Sequence, residues 1–489
     1  MGGVMRQAPM LLATLLLAPC AAYSAVRVSS VVTLGGARCG ASPAARCATV
    51  PALRRRPLIV GSVLAGDGAG GEAKEAHGTP AWLHKLHELQ DSGVGAAALL
   101  IATAISLGLA NYGPTSAGWL AFWSMPRGIA IGGHALSLRM WCNEGLMAIF
   151  FAVVGLEIKQ ELRQGSLRSI KTAILPCIAA VGGMLTPVAI YAALNLSGML
   201  SGGSLAALAV PMATDIAFAM AIYSLFKARM PAAASAFLLT LATVDDLGAI
   251  IVLATCYASH IALGFLAAAA AVTATLTVVG RRQAKTGGDA KVFVVGGAAL
   301  WWLLLRSGVS ADIAGVVVGM SVSTRALVGA DGNGKGGEQL TERLIEWLAP
   351  LATFVIMPVF ALANTAVPLG EALSASALTA LAPAAGIGAG LLIGKPLGIF
   401  GFTWLATRFG IADMPKGMTK RHLSVVSMLG AIGFTMCLLL TEVSMPSAAA
   451  ALPKLAVLIA SGVASVLAAL MMRFGLPIRE ENTKAAPAA

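Results

Sequence analysis

Twelve stretches of this 489-residue chain are apolar enough, and long enough, to cross the roughly 30 Å hydrocarbon core of a bilayer. They fall near residues 94–111, 140–157, 172–195, 204–224, 232–257, 260–280, 290–305, 308–324, 345–366, 379–405, 423–444 and 452–472, the seventh and eighth being short. In lipid, backbone polar groups must be satisfied inside each segment, so such stretches fold as helices. The expected class is an all-α polytopic membrane protein with about 12 transmembrane helices. Only 11% of residues are charged, against about 25% in soluble domains, which excludes an ordinary globular enzyme. The net charge of +12 does not call for nucleic acid, because the basic residues gather in alternate connections. "EIKQELRQGSLRSIK" follows the second stretch, "FKAR" the fourth and "RRQAK" the sixth, whereas "LNLSGMLSGGS" and "YASH" hold no Lys or Arg. By the positive-inside rule both termini lie on the cytoplasm-like face, and the span count is even.

Four charges interrupt this oil. Asp215 is the only charged residue between Lys171 and Lys227, Lys395 the only one between Glu371 and Arg408, and Asp245 and Asp246 stand together in "LATVDDLGAI". Each costs about 2.5–3.5 kcal/mol on insertion scales, so the four cost on the order of 10–14 kcal/mol. They must face a wet cavity or each other. One ion pair with Lys395 accounts for a single acid and leaves two over, which points to a cation or proton site. Carboxylates crowded together and removed from water hold protons more tightly as a class, which brings proton exchange toward neutral pH. Their oxygens also suit a hard cation such as Na+ or Li+. A proton and a cation competing for the same oxygens are enough to couple two fluxes.

Backbone breakers accompany the charges. Pro211 lies four residues before Asp215 and removes a helix hydrogen bond, and Thr214 offers a hydroxyl beside it. Gly430 and Gly433 lie mid-depth in the eleventh stretch. Interrupted helices in corresponding positions of two halves mark a transporter site at the midplane, although glycines of this kind also serve ordinary helix packing. In the first external loop, Pro126 to Leu138 alternates apolar and small residues around Gly132-Gly133, a hairpin pattern. Its edge is suited to pairing with a second copy of the chain, or it is an unpaired turn.

From Ala8 runs "APMLLATLLLAPCAAYSA", a short apolar core ending in small residues, followed by an Arg- and Ser-containing stretch with no acid before Asp67. Residues 1–65 are therefore expected to be a cleavable signal followed by a transit-like leader. That order favours a plastid membrane of an alga (inner envelope or thylakoid) over a mitochondrial inner membrane or the plasma membrane. Residues 66–92 are expected to form a polar linker and a short amphipathic helix, "AWLHKLHELQ". The main domain is expected over 93–473, with a disordered tail over 474–489. Of the seven cysteines, Cys20, Cys39 and Cys47 lie in the leader, and the other four lack metal-ligand spacing. No disulfide framework is implied.

"PMATDIAFAM", "TVDDLGAI", "LLIGKPLGI" and "GAIGFTM", in that order and spacing, resemble the NhaA-type sodium/proton antiporters. "NEGLMAIFFAVVGLEIKQELRQGSL" and "VIMPVFALANTAV" resemble that family's second and ninth spans, and the likeness runs from about Gly93 to Arg473. The resemblance implies spans three to five related by inversion to spans ten to twelve, with spans four and eleven broken and crossing at mid-membrane. It implies that Asp215 and Lys395 compensate the helix ends there, that Asp246 is tied most directly to the cation, and that Asp245 pairs with the lysine. Thr214 lines the same place, so Asp245, Asp246 and Thr214 are the candidate ion site, with Asp246 and Asp245 as Na+ ligands. It further implies electrogenic exchange of two protons for one Na+ or Li+, no cofactor, and a homodimer joined through the 126–138 hairpin. Glu157, Lys159, Glu161 and Glu346 are the candidates for a pH response. The chain departs from the pattern in holding Ile345, Glu346 and Ala349 where bacterial members carry a Glu-His pair and another His. It also holds Ser310 where a His is common, and adds Asp312. An intramembrane aspartyl protease would also use buried acids, but the chain's Gly-x-Gly-Asp-like stretches, "GDGAG" and "GADGNG", lie in polar loops. A channel or non-transporting sensor of the same fold is the other rival, and the four retained charges argue against it.

Overall fold

A computed structural model describes residues 93–131, 134–258, 261–286, 290–323, 340–374, 380–446 and 449–477, together with Leu86 and Leu89. The leader, most of the linker and surface helix, the Gly132-Gly133 turn and residues 478–489 lie outside the described residues. Leu86 and Leu89, within the expected surface helix, are both helical.

The helices are α1 Val94–Asn111, α2 Gly113–Ser124, α3 Leu138–Arg163 and α4 Ile170–Leu196. A 3-10 turn, Val210–Met212, precedes α5, Ile216–Leu225. There follow α6 Ala232–Cys256, α7 Leu263–Thr286, α8 Lys291–Ser307, α9 Ile313–Ser321 and α10 Leu340–Asn364. Last come α11 Leu381–Arg408, α12 Lys420–Gly430, α13 Phe434–Ser444 and α14 Ala451–Gly475. Among the described residues, 9 helices are long and apolar enough to cross a membrane by themselves, counting α12 and α13 as one interrupted helix. The other three expected spans are the broken Val210–Leu225, α8 and the nine-residue α9. The last is much shorter than the 308–324 expected, because the chain is turned up to Asp312 and extended again at Val322.

Two boundaries differ from the sequence reading for a physical reason. "EIKQELR" reads as the start of a loop, yet α3 continues through it to Arg163. Its residues are strong helix formers, and tertiary partners take up their polar groups. Lys159 donates to the carbonyls of Met320 and Val322 at the C-terminal end of α9, where a cation is favoured. Glu161 accepts from the Ser166 amide at 2.9 Å. Likewise α14 reaches Gly475 before the chain leaves the helix.

Without a hydrophobic force between helices in lipid, small residues and polar contacts organise the packing. α3 and α9 run parallel with backbones touching: a Cβ on Gly155 would stand 2.7 Å from the Val316 carbonyl oxygen. α1 runs beside α10, with Ser106 donating to the Leu362 carbonyl at 2.7 Å and Asn111 to that of Val367 at 2.9 Å. α4 and α11 are antiparallel, Gly182 lying against Gly398, Pro187 against Gly394 and Tyr191 against Gly386. Each of α4 and α11 is followed by an interrupted helix and then by a long one, α6 or α14. The order long, broken, long therefore occurs twice, around an antiparallel centre. The expected hairpin is also present: β1 Pro126–Ile131 pairs antiparallel with β2 His134–Ser137, Ile131 opposite His134 and Pro126 opposite Ser137.

Candidate functional site

The two broken helices cross at their breaks, the first of them extended at Ala213 and Asp215. Residues Ala213–Asp215 separate the 3-10 turn from α5, and Ala431–Gly433 separate α12 from α13. The segments pass antiparallel and exchange backbone contacts. The Asp215 amide donates to the Ile432 carbonyl at 2.7 Å, and Thr214 Oγ1 lies 3.0 Å from the Gly430 carbonyl oxygen. Gly433 is needed for this approach, since a Cβ there would sit 3.1 Å from the Ala213 carbonyl oxygen. Gly430 closes α12, and Pro211 lies inside the 3-10 turn, where no helical amide is missed.

Broken helices leave unpaired amides at their N-terminal ends and unpaired carbonyls at their C-terminal ends. Asp215 answers two of the N-terminal ends. Its Oδ1 accepts from the Phe218 amide at 3.0 Å, capping α5, and its Oδ2 accepts from the Thr435 amide at 3.1 Å and from the Thr435 hydroxyl, at the start of α13. Lys395 answers the carbonyl side by donating to Met212. Its Nζ also lies 2.6 Å from Asp245 Oδ2, in an ion pair with neither side chain more than 1% exposed. Lys395 follows a π-helical turn, Gly390–Gly394, an irregularity that recurs at functional sites. Thr214 Oγ1 reaches the same Asp245 oxygen at 2.6 Å.

Asp246 differs from its neighbour. Its Oδ1 is buried with no hydrogen-bond partner, as is Oδ1 of Asp245. Asp246 also lines a cavity of about 150 Å³, room for several waters, which extends along Tyr223 and Ser224 to the exposed Lys227 on the side of the basic connections. Its opposite wall comes from α3 and α10, with Glu157, Ala349 and Thr353. Thr214 and Asp215 line the cavity beside Asp246, whereas Asp245 and Lys395 stand behind that lining. Adjacent residues on a helix point about 100° apart, so one acid faces the cavity and the other faces the lysine.

The structure thus brings together Asp245, Asp246, Thr214, Asp215, Lys395, Pro211, Gly430 and Gly433. It divides the four pH-response candidates. Glu157 faces the cavity, while Lys159 and Glu161 are engaged with α9 and with the turn after α3, and Glu346 is outside the lining. Sequence reasoning passed over Thr435, whose amide and hydroxyl both meet Asp215. Cys437, buried in the core, also stands at the crossing, its Sγ 2.9 Å from the Val210 carbonyl oxygen. The signal for Thr435 was its place just after a helix break, where an amide is unpaired and a hydroxyl can join it. Among the described residues, no group of three or more His, Cys, Asp or Glu is gathered as a resident metal site. The oxygens at hand for a passing cation are those of the two acids, Thr214 and nearby carbonyls.

Comparison with known proteins gives the family. The sequence profile of a family described as Na+/H+ antiporter 1 matches residues 87–472. The chain is similar to a Na(+)/H(+) antiporter NhaA of Salmonella arizonae, 40% identical over 381 residues, which is 76% of this chain and 93% of that protein. It is similar to the Na(+)/H(+) antiporter NhaA of Salmonella typhi at 41% over 367 residues, 74% of this chain and 89% of that one. A Vibrio cholerae protein of the same name is 38% identical over 389 residues, 79% of this chain and 96% of its own.

Proposed function

The chain belongs to the Na+/H+ antiporter 1 family, whose members are secondary active transporters and not enzymes, and on that premise we propose how this molecule exchanges Na+ for H+. Asp246 binds the cation at the inner end of the cavity, with Asp245 and Thr214 completing its oxygen shell. Protons hold the same carboxyls when the cation is absent. Lys395 keeps Asp245 from standing as an uncompensated buried charge, and Asp215 and Lys395 together neutralise the ends of the broken helices. The crossing is then a place where charge can come and go at low cost. Alternating access follows from moving the broken-helix unit against the wall formed by α1, α3 and α10, so that the cavity opens to one face at a time. Na+ or Li+ and H+ are cargo, and no cofactor takes part.

One observation carries this reading: the buried, unpartnered oxygen of Asp246 at the end of a cavity that leads to the face of the basic connections. The test is exchange in proteoliposomes with Na+, Li+ and K+ over a pH series. Competition requires apparent Na+ affinity to weaken on acidification, by about tenfold per pH unit for each proton displaced and about a hundredfold for two. The hundredfold slope is expected, matching electrogenic two-for-one exchange. A Na+ affinity indifferent to pH, with no H+ released on binding, overturns the proposal.

Three finer readings accompany it. The chain assembles as a homodimer through the 126–138 hairpin, supported by the paired strands; cross-linking across that loop tests it. Residues 1–65 are removed as a signal and transit leader, leaving the linker over 66–92 and an antiporter domain over 93–473; the tail expected over 474–489 starts inside α14, which holds Phe474 and Gly475. The mature chain then works in a plastid membrane, in pH and sodium homeostasis. The acid-free, Arg-containing leader supports that address, and a tagged protein found at the plasma membrane, the natural place for bacterial relatives, would exclude it.

A further inference from the structure

Away from the crossing lies a second carboxyl pair. Glu144 sits in a π-helical turn of α3, Trp141–Leu146, and Asp312 immediately precedes α9. Asp312 is 1% exposed. Its Oδ1 accepts from the Ser310 hydroxyl, and its Oδ2 is buried without any partner. Glu144 lies against the same turn: its Oε2 accepts from the Ala311 amide at 2.8 Å, while its backbone carbonyl takes the Trp301 indole N–H at 2.7 Å. Both carboxyls therefore meet the one short turn, Ser310 to Asp312. Glu144 is partly exposed, on the face opposite the basic connections, and Asp312 stands behind it.

Among the described residues, no cation answers them. Arg306, the nearest base on α8, stacks over Phe265 and Trp302. Arg139 at the start of α3 is directed to Glu442, which Lys454 also engages. Cys142 is the ionisable side chain flanking Glu144 on α3, α9 itself carries no ionisable side chain, and the bases of α7 (Arg281, Arg282, Lys285) lie at its far end. Two carboxylates side by side, largely out of water and without a counter-charge, cannot both stay ionised. Two amide and hydroxyl donors serve two of their oxygens, and a buried third has none. A proton held between the acids supplies the missing donor and removes one charge. A metal ion would need more oxygens than this turn gathers.

We propose that Glu144 and Asp312 form a second proton-binding site, holding one proton between them, separate from Asp245 and Asp246, and that its occupancy shifts the pH range of transport by altering how α9 packs on α3. The lever is short: Gly155, Gly315 and Gly319 bring those two helices into backbone contact, and Glu157 on the same α3 faces the central cavity. The proton site stands independently of the exchange reading, and only its effect on transport rests on it.

Infrared difference spectra of the purified full chain, recorded between acid and alkaline pH, test the site. Asp312→Asn and Glu144→Gln should each lose one protonated-carboxyl signal that Asp246→Asn retains. In proteoliposomes, the half-maximal pH of exchange should move by about one unit in either variant. If Asp312→Asn does not fold, Glu144→Gln gives the same readout. A carboxyl spectrum unchanged in the folded variant removes the site. A lost signal with an unmoved pH profile removes its role in transport.

Discussion

The two buried acid pairs make an instructive contrast. Asp245 and Asp246 are consecutive on one helix, beside two interrupted helices, and one of them holds a lysine at 2.6 Å. Glu144 and Asp312 come from two helices, beside a π-helical turn and a helix start, and accept from a hydroxyl and an amide. The first pair has a counter-charge and an open cavity, so a monovalent cation can replace a proton there with little change in net charge. The second has no counter-charge among the described residues, so a proton is its cheapest occupant. What separates an ion-exchange site from a proton store is the freed backbone and the lysine around the carboxylates, not the carboxylates themselves.

The largest expected effect breaks this contrast at its centre. Asp246→Asn removes a charge and an exchangeable proton together while keeping the side chain's size. Exchange in proteoliposomes should fall to background although the protein remains folded by size-exclusion chromatography. Asp312→Asn should instead continue to exchange, at a displaced pH. If Asp246→Asn exchanges Na+ at a normal rate, the central assignment is wrong and the two pairs are not different in kind.

Next in size is Lys395→Ala. It leaves Asp245 buried without its counter-charge, a loss of about 3–5 kcal/mol for a broken buried pair. A clearly lower melting temperature in detergent is the readout. Removing both partners, as in Lys395→Met with Asp245→Asn, should recover most of that loss, because an uncompensated charge is then no longer buried. A Lys395→Ala protein that melts like the parent would show that the 2.6 Å pair contributes nothing.

Much of this was legible in the residues. The charges of Asp215, Asp245, Asp246 and Lys395 stood out because nothing else in their spans is charged, and their cost demanded a common purpose. The breaks were legible from Pro211, Gly430 and Gly433. What composition and spacing could not give, and only the family resemblance suggested, was direction. Nothing in "TVDDLGAI" says which acid meets the lysine and which meets the cavity, since that depends on the rotation of α6 against α4 and α11. Asp312 stood out only as an added charge, because Glu144 is 168 positions earlier, on a helix that only the fold brings near. The length of α3 was misread for the same reason. Its polar end looks like a loop until α9 is there to take up Lys159.

The smallest effect concerns the residue that sequence reasoning missed. Thr435 gives Asp215 both an amide and a hydroxyl. Thr435→Val keeps the amide and the shape but removes the hydroxyl, so one donor to a buried carboxylate is lost and α13 begins less firmly at the crossing. The loss should be about 1–3 kcal/mol, the range for a buried polar group deprived of one partner, and smaller than that of Lys395→Ala because a charge-compensating pair is left intact. Thr435→Ser restores the hydroxyl and should restore the melting temperature, which a purely steric role for the threonine would not allow. Exchange should slow in the valine variant without a change in the pH slope of Na+ affinity, since the carboxyls that bind the ions are untouched. A valine variant as stable as the parent would mean that Asp215 is held by the helix amides alone, and that the crossing needs no side-chain donor.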